Sequence, residues 1–218
     1  MEFTRSSDGY AFARLSGLLP AGPVLREALD QVRDAGDMPV VLLDVGEATG
    51  GSAAEYAWLR RFPLPVVCTF EGRLEAGAAG LTLCCDVRLC GAEASLAAGT
   101  LDGAGEALLT ALTAGRHERR KDGEPSTAEQ LLEAGLVSEV TPAGEALTGG
   151  QRVAAVMASR GPIALELGKE AIWRGLAMHF EQALRFETDL TLLLQTTKDR
   201  AEGVAAFIEK RTPKFTGT

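Results

Sequence analysis

The stretch that decides the fold is Phe62-Pro63-Leu64-Pro65-Val66-Val67-Cys68-Thr69-Phe70-Glu71-Gly72, with Gly77-Ala78-Ala79-Gly80 and Cys85-Asp86-Val87-Arg88 behind it. Pro65 to Phe70 is a nearly continuous apolar run. A run without polar alternation predicts a strand buried on both faces of a parallel sheet. Gly72 to Gly80 is rich in glycine and alanine and predicts a turn running into a helix. Asp86 to Cys90 and Ala94 to Leu96 predict short strands.

Upstream, Gly9 to Leu15 alternates weakly and predicts a first strand. Pro23 to Arg33 carries apolar residues at Val24, Leu25, Ala28, Leu29 and Val32, which is helical spacing, and Gly36 and Pro39 close that helix. Pro39 to Val45 is a second doubly buried strand, Gly46 to Ser52 a glycine-bearing loop, and Ala53 to Arg61 a short helix. Downstream, Leu108 to Ala114 predicts a helix and Arg116 to Glu124 an exposed basic stretch. Ser126 or Thr127 caps a helix that stops at Gly135. Leu136 to Val140 is a strand ending at Pro142. The remainder predicts helices over about 146–159, 162–174, 178–196 and 199–210. Strands alternating with helices give a mostly parallel α/β sheet. The chain divides into an α/β core over 1–142 and a helical region over 143–218.

Composition bounds the function. The 218 residues carry a net charge of −8, with 46% hydrophobic and 24% charged residues. That profile suits a soluble globular chain and disfavours nucleic acid and anionic membranes as partners, because like charges repel. No apolar run approaches the roughly 18 residues of a membrane span. Met1 to Tyr10 lacks the apolar segment of a signal peptide. Cys68, Cys84, Cys85 and Cys90 show no metal-ligand spacing and read as buried reduced thiols, so a cytoplasmic location is expected. His117 and His179 are the two histidines. They form no Ser/His/Asp pattern and no metal cluster.

Three segments in order carry a resemblance. They are the opening stretch, Ala134-Gly135-Leu136-Val137-Ser138-Glu139-Val140-Thr141-Pro142, and Asp199-Arg200-Ala201-Glu202-Gly203 with Ala206 to Phe215; Pro162 and Lys169 also match. Together they resemble the enoyl-CoA hydratase/isomerase (crotonase) superfamily. The resemblance implies a spiral of strand-helix turns with a C-terminal helical trimerisation region. It also implies an acyl-CoA thioester as substrate with no separate cofactor or metal, and assembly as a homotrimer or dimer of trimers.

What the resemblance implies for chemistry is an oxyanion hole, in which two backbone N–H groups hold the thioester oxygen as it becomes an enolate. One donor falls on Gly77, at the start of the helix after the glycine-rich turn, where free N–H groups and the helix dipole coincide. The other falls in the loop Ala48-Thr49-Gly50-Gly51-Ser52, on Gly51, with Gly50 and Ser52 as near equals. A tight turn and an exposed loop are the plain alternatives. Lys210, Lys214 and Phe215 match the end that approaches the CoA nucleotide in family members, and Arg116 to Lys121 is a further basic stretch; solvated lysines and a charged surface are the alternatives.

The sequence departs from the family at the residues that matter for hydration. Typical hydratases use two glutamates as acid and base. The positions aligned with them, on Cys85-Asp86, are Gly80 and Thr100. Glu75, Asp102 and Glu106 are the candidates for a relocated acid or base, and each also reads as a surface carboxylate. Glu71 reads as a strand-end charge and Asp86 as a structural hydrogen-bonding residue. Isomerisation, decarboxylation or a specialised hydration or dehydration remain, alongside a non-catalytic subunit or regulatory partner.

Overall fold

The structure is a computed structural model that describes residues 2–113 and 124–218. Arg116 to Lys121, with His117, lies outside the described residues, as does Ala114. The main sheet has the order β1-β2-β3-β4-β6-β9, from β1 (Thr4–Arg5), β2 (Ala11–Leu18), β3 (Val41–Thr49), β4 (Val66–Phe70), β6 (Val87–Gly91) and β9 (Glu139–Thr141). All neighbours pair parallel except β1 with β2. A second sheet joins β5 (Arg73–Leu74), β7 (Ser95–Leu96) and β8 (Ser126–Thr127).

Helices fill the crossovers. They are α1 (Gly22–Ala35), α2 (Ala53–Tyr56) running into a 3-10 turn over Ala57–Arg61, α3 (Ala76–Cys84), α4 (Gly103–Thr113), α5 (Ala128–Glu133) and α6 (Ala146–Ala158). The C-terminal part continues with α7 (Pro162–Gly175), α8 (Phe180–Gln195) and α9 (Lys198–Glu209). None of the described helices is long and apolar enough to cross a membrane.

The apolar runs without alternation are explained by the two faces of the sheet. Val41, Leu43 and Val45 of β3 and Val66, Cys68 and Phe70 of β4 enter the larger core with α1 and α3. Leu42 and Val67 point the other way, into a second cluster with Leu89 and Ala154 of α6. Side chains alternate across a strand, so a strand covered on both faces needs apolar residues at every position. Thr69 of β4 and Asp44 of β3 are buried polar exceptions that answer each other. The Thr69 hydroxyl donates to Asp44 (2.9 Å), which also takes the Arg14 guanidinium (2.7 Å).

Of the boundaries that differ from the sequence reading, three have a clear physical reason. β3 runs to Thr49, four residues past Val45, because β2 pairs beside it as far as Thr49. α4 begins at Gly103 instead of near Leu108. Its glycines weaken the intrinsic helix signal, but Asp102 caps the first turn by accepting from the Gly105 N–H (2.7 Å). β9 starts at Glu139, since Leu136 and Val137 are spent on the larger core.

The α7 helix is pinned beneath the sheet. Lys169 is buried, forms an ion pair with Asp86 (2.8 Å) and donates to the Leu64 carbonyl (2.9 Å). Asp86 also accepts from the Val66 N–H and the Trp173 indole. The structural role expected for Asp86 is met, and the partners from α7 are an addition no local pattern announced. At the far end the chain folds back. Asp199 is buried and accepts from the N–H groups of Thr216 (2.7 Å) and Gly217 (2.9 Å).

Candidate active site

Gly77 is the second residue of α3 and is buried. An N–H in the first turn has no acceptor within its own helix and faces outward with the positive end of the dipole. The loop between β3 and α2 lies directly on it. A Cβ on Gly77 would stand 1.8 Å from the Gly50 carbonyl oxygen and 2.4 Å from that of Gly51. Only glycine permits that approach. Gly50 and Gly51 adopt φ of 82° and 74°, the left-handed region, so the loop turns back in two residues that L side chains rarely tolerate.

The structure therefore brings Gly77 together with Gly50 and Gly51, segments more than twenty residues apart in sequence. It also separates the near-equal candidates for the second donor. Ser52 is the N-cap of α2. Its hydroxyl accepts from the Glu55 N–H and its own N–H donates to Glu55, closing a capping box. The Ser52 N–H is thus committed, which leaves Gly50 and Gly51.

Tyr56 is the site residue that sequence reading missed. It is fully buried, and its hydroxyl donates to the Pro20 carbonyl (2.9 Å). A Cβ on Gly51 would lie 2.5 Å from that hydroxyl oxygen, so the phenol backs the Gly50-Gly51 turn. Burial, with the nearby Glu55 charge, pushes the Tyr56 phenol up to about 12, so it stays protonated at neutral pH. An aromatic residue in a short helix gives no sequence sign of that contact.

Of the two positions that the sequence reading aligned with glutamates, Gly80 is packed and Thr100 is exposed and hydrogen-bonded. Gly80 is buried against the first turn of α2: a Cβ there would sit 2.7 Å from both the Ala53 nitrogen and Cα. Thr100 accepts from the Ala76 N–H through its hydroxyl (2.6 Å) and donates to the Ala97 carbonyl (2.7 Å). That bond holds the N-terminal residue of α3, Ala76, in a left-handed conformation with φ of 42°.

The relocated carboxylates stand as follows. Asp102 caps α4 and receives the Ala54 N–H at the start of α2 (3.3 Å). One carboxylate thus joins two helix N-termini, where negative charge is favoured. Glu106 is exposed in the first turn of α4. Glu75 precedes α3, is exposed and pairs with Arg73. Glu71 accepts from the Ala146 N–H at the start of α6 (2.9 Å), a built structural contact instead of a free strand-end charge.

The C-terminal candidates lie on the helical region. Lys210 ends α9 in a left-handed conformation and is exposed. Lys214 is exposed, and its N–H donates to Glu202 (2.8 Å). Phe215 packs at 3.7 to 3.8 Å from the Cβ directions of Gly203 and Gly161. The cysteines are all buried and free. Burial pushes the Cys84 and Cys90 thiols up to about 12, and the Cys68 contact with burial raises Cys85, so these are protonated, inert thiols. Among the described residues, no three His, Cys, Asp or Glu side chains group to hold a metal ion.

The sequence signature of the enoyl-CoA hydratase/isomerase family matches residues 45–218. The chain belongs to that family. It is 34% identical over 170 residues to the 2,3-dehydroadipyl-CoA hydratase of Escherichia coli (strain K12), covering 74% of this chain and 67% of that protein. It is 32% identical over 171 residues to the mouse (Mus musculus) mitochondrial enoyl-CoA hydratase domain-containing protein 2, covering 72% and 57%. The chain thus spans about two thirds or less of the length of these curated relatives. Crystal structures of enoyl-CoA hydratases from Bacillus anthracis (TM-score 0.80, 24% identity, 100% of this chain and 99% of that one) and Polaromonas sp. JS666 (TM-score 0.82, 24%, 99% and 100%) share its fold. The architecture of this family member is the expected crotonase-like α/β fold with a helical C-terminal region.

Proposed function

We propose that the protein binds an acyl-CoA or carrier-bound thioester and stabilises its enolate with the backbone N–H groups of Gly77 and Gly51, without two-glutamate hydration. The observation that carries this reading is the seating of the Gly50-Gly51 turn on Gly77 at the N-terminus of a buried helix. Preorganised N–H donors in a dry environment stabilise a developing oxyanion at no reorganisation cost. Decarboxylation asks least of such a site. The bond to the departing CO₂ breaks, its electron pair delocalises onto the thioester oxygen, and a proton from water completes the product. Isomerisation, or a specialised hydration or dehydration, would need one acid or base, for which Asp102 and Glu106 are the nearest carboxylates in sequence. The substrate itself is the CoA thioester, with no further cofactor in the scheme; Lys210, Lys214 and Phe215 are proposed to meet its nucleotide.

The same reading includes a homotrimer, or a dimer of trimers, in the cytoplasm. The apolar side chains that α7, α8 and α9 leave exposed support association: Phe180 is 77%, Phe207 84% and Ile208 72% accessible. A monomer by light scattering counts against it. A second reading, a non-catalytic subunit or partner of another enzyme, is favoured by the Gly80–Ala53 contact, which fills the place of a catalytic side chain with backbone.

Calorimetric titration with CoA, acetyl-CoA and crotonyl-CoA separates the two. The expected result is tighter binding of thioesters than of CoA, lost in Gly77→Ala because the new methyl displaces the Gly50-Gly51 turn. No binding of any of the three by a folded protein supports the partner reading and ends the enzyme one.

A further inference from the structure

A cationic cleft lies at the opposite end of β4 from Gly77. Gly77 follows the C-terminal end of that strand, and Arg60 to Pro63 precede its N-terminal end. Five residues at about 3.3 Å each separate the two ends by roughly 17 Å. The cleft has two lobes that share Arg60, Arg61, Phe62 and Pro63 as a common wall. The first, about 500 Å³, is closed by α1 with Arg26 and by Trp58. The second, about 770 Å³, is closed by α7 with Lys169 and Trp173.

Two guanidinium groups there, Arg60 and Arg61, have no carboxylate partner among the described residues, and a third, Arg26, is only loosely paired with Asp30, which also lines the first lobe. Arg26 stacks on the Trp58 ring, 5.6 Å from its centroid, and approaches Asp30 only to 3.9 Å. Arg60 stacks on Trp173 at 5.7 Å, and its one hydrogen bond goes to the Ala57 carbonyl. Arg61 is exposed and makes no hydrogen bond or ion pair among the described residues. By contrast Arg33 is paired with Asp30 and Asp34, and Arg174 with Glu170. Stacking on an indole holds a guanidinium by its face and leaves edge N–H groups for a ligand. On a chain of net charge −8, three such groups around one lobe are not a general basic surface.

We propose that this cleft binds a small diphosphate-bearing ligand. One carboxylate answers one guanidinium fork, whereas linked phosphates offer oxygens and charge for several. The lobes have the volume of small-molecule sites. Glu166 and Glu170 on the α7 wall oppose a long polyanion laid along the helix and so favour a compact one.

The test is calorimetry of the intact protein with pyrophosphate, orthophosphate, ADP, CoA and poly-glutamate. Pyrophosphate is expected to bind at least tenfold tighter than orthophosphate, with affinity falling as salt rises. Arg61→Ala and Arg26→Gln should each weaken it about tenfold, and Arg152→Gln, on the pair with Glu139, should not. Neither Arg61 nor Arg26 lies in the core, so both variants should fold. Binding of ADP and CoA as well identifies a nucleotide-borne diphosphate, and binding of pyrophosphate alone a free one. No pyrophosphate binding, binding indifferent to both arginine variants, or binding of poly-glutamate alone overturns the proposal. The Gly77→Ala variant separates this site from the thioester site, because it should leave pyrophosphate affinity unchanged.

Discussion

The two ends of β4 solve different problems with different materials. At its C-terminal end, glycines and alanines pack so closely that backbone touches backbone: Gly50 and Gly51 on Gly77, Ala53 on Gly80. The polar groups that line this end are backbone groups, with a protonated Tyr56 behind the turn. At its N-terminal end the contacts are made by long charged and aromatic side chains: Lys169 with Asp86, Trp173 with Asp86, Arg60 over Trp173. The contrast teaches where this family member has been remodelled. Gly77 and Gly80 are seated on backbone at one end, and the buried ion-pair contacts of α7 gather at the other.

The largest effect should come from breaking the charged end. Lys169→Met leaves the half-buried Asp86 beside two neutral donors and no cation. Removing one member of a buried ion pair costs about 3–5 kcal/mol. At about 2–4 °C per kcal/mol for a chain of this size, the thermal midpoint should fall by roughly 6–20 °C. A fall of under about 2 °C in thermal denaturation would show that the contrast is overdrawn.

The close-packed end should respond next. Gly80→Ala places a methyl against the Ala53 backbone and should cost about 1–3 kcal/mol by overpacking. Gly80→Glu, which places a carboxylate where the resemblance implies one, should cost more and confer no hydration of crotonyl-CoA, because α2 occupies the space. A stable Gly80→Glu protein with hydratase activity would mean that α2 moves aside readily.

The smallest effect is a pH response away from both ends. Arg211, and then the Lys214 N–H, hold the Glu202 carboxyl down to about 2. A carboxyl depressed in the folded state stabilises above its unfolded value and loses that contribution as pH falls through the folded one. The contact holding the C-terminal segment should therefore persist from pH 7 through pH 4 and be lost only toward pH 2. Amide exchange at Lys214 followed against pH checks this, and a midpoint near 4 would contradict it.

Most of the strands and helices were legible, because each apolar run or helical stripe reports its own burial. α1, β4, α5 and α6 appear within a few residues of their expected places. The start of α4 was hidden by Gly103 and Gly105, whose low propensity is overridden by the Asp102 cap. In the candidate site, Gly77 was legible as a glycine at a helix start. The choice between Gly50, Gly51 and Ser52 was not, since it depends on the Glu55 carboxylate closing back on Ser52. Tyr56 was invisible for the same reason: its role is a contact with Pro20 and Gly51, not a spacing.

By itself the sequence determined the parallel α/β core, the helical C-terminal region, and the absence of carboxylates at positions 80 and 100. These follow from local periodicity and residue chemistry, which the chain carries wherever it folds. Only the tertiary structure decided that Gly80 is a packing surface, that Asp102 joins two helices, and that Arg26, Arg60 and Arg61 line one lobe of a cleft. Each of those depends on which distant segments meet, and meeting is set by the burial of whole faces, not by any residue's immediate neighbours.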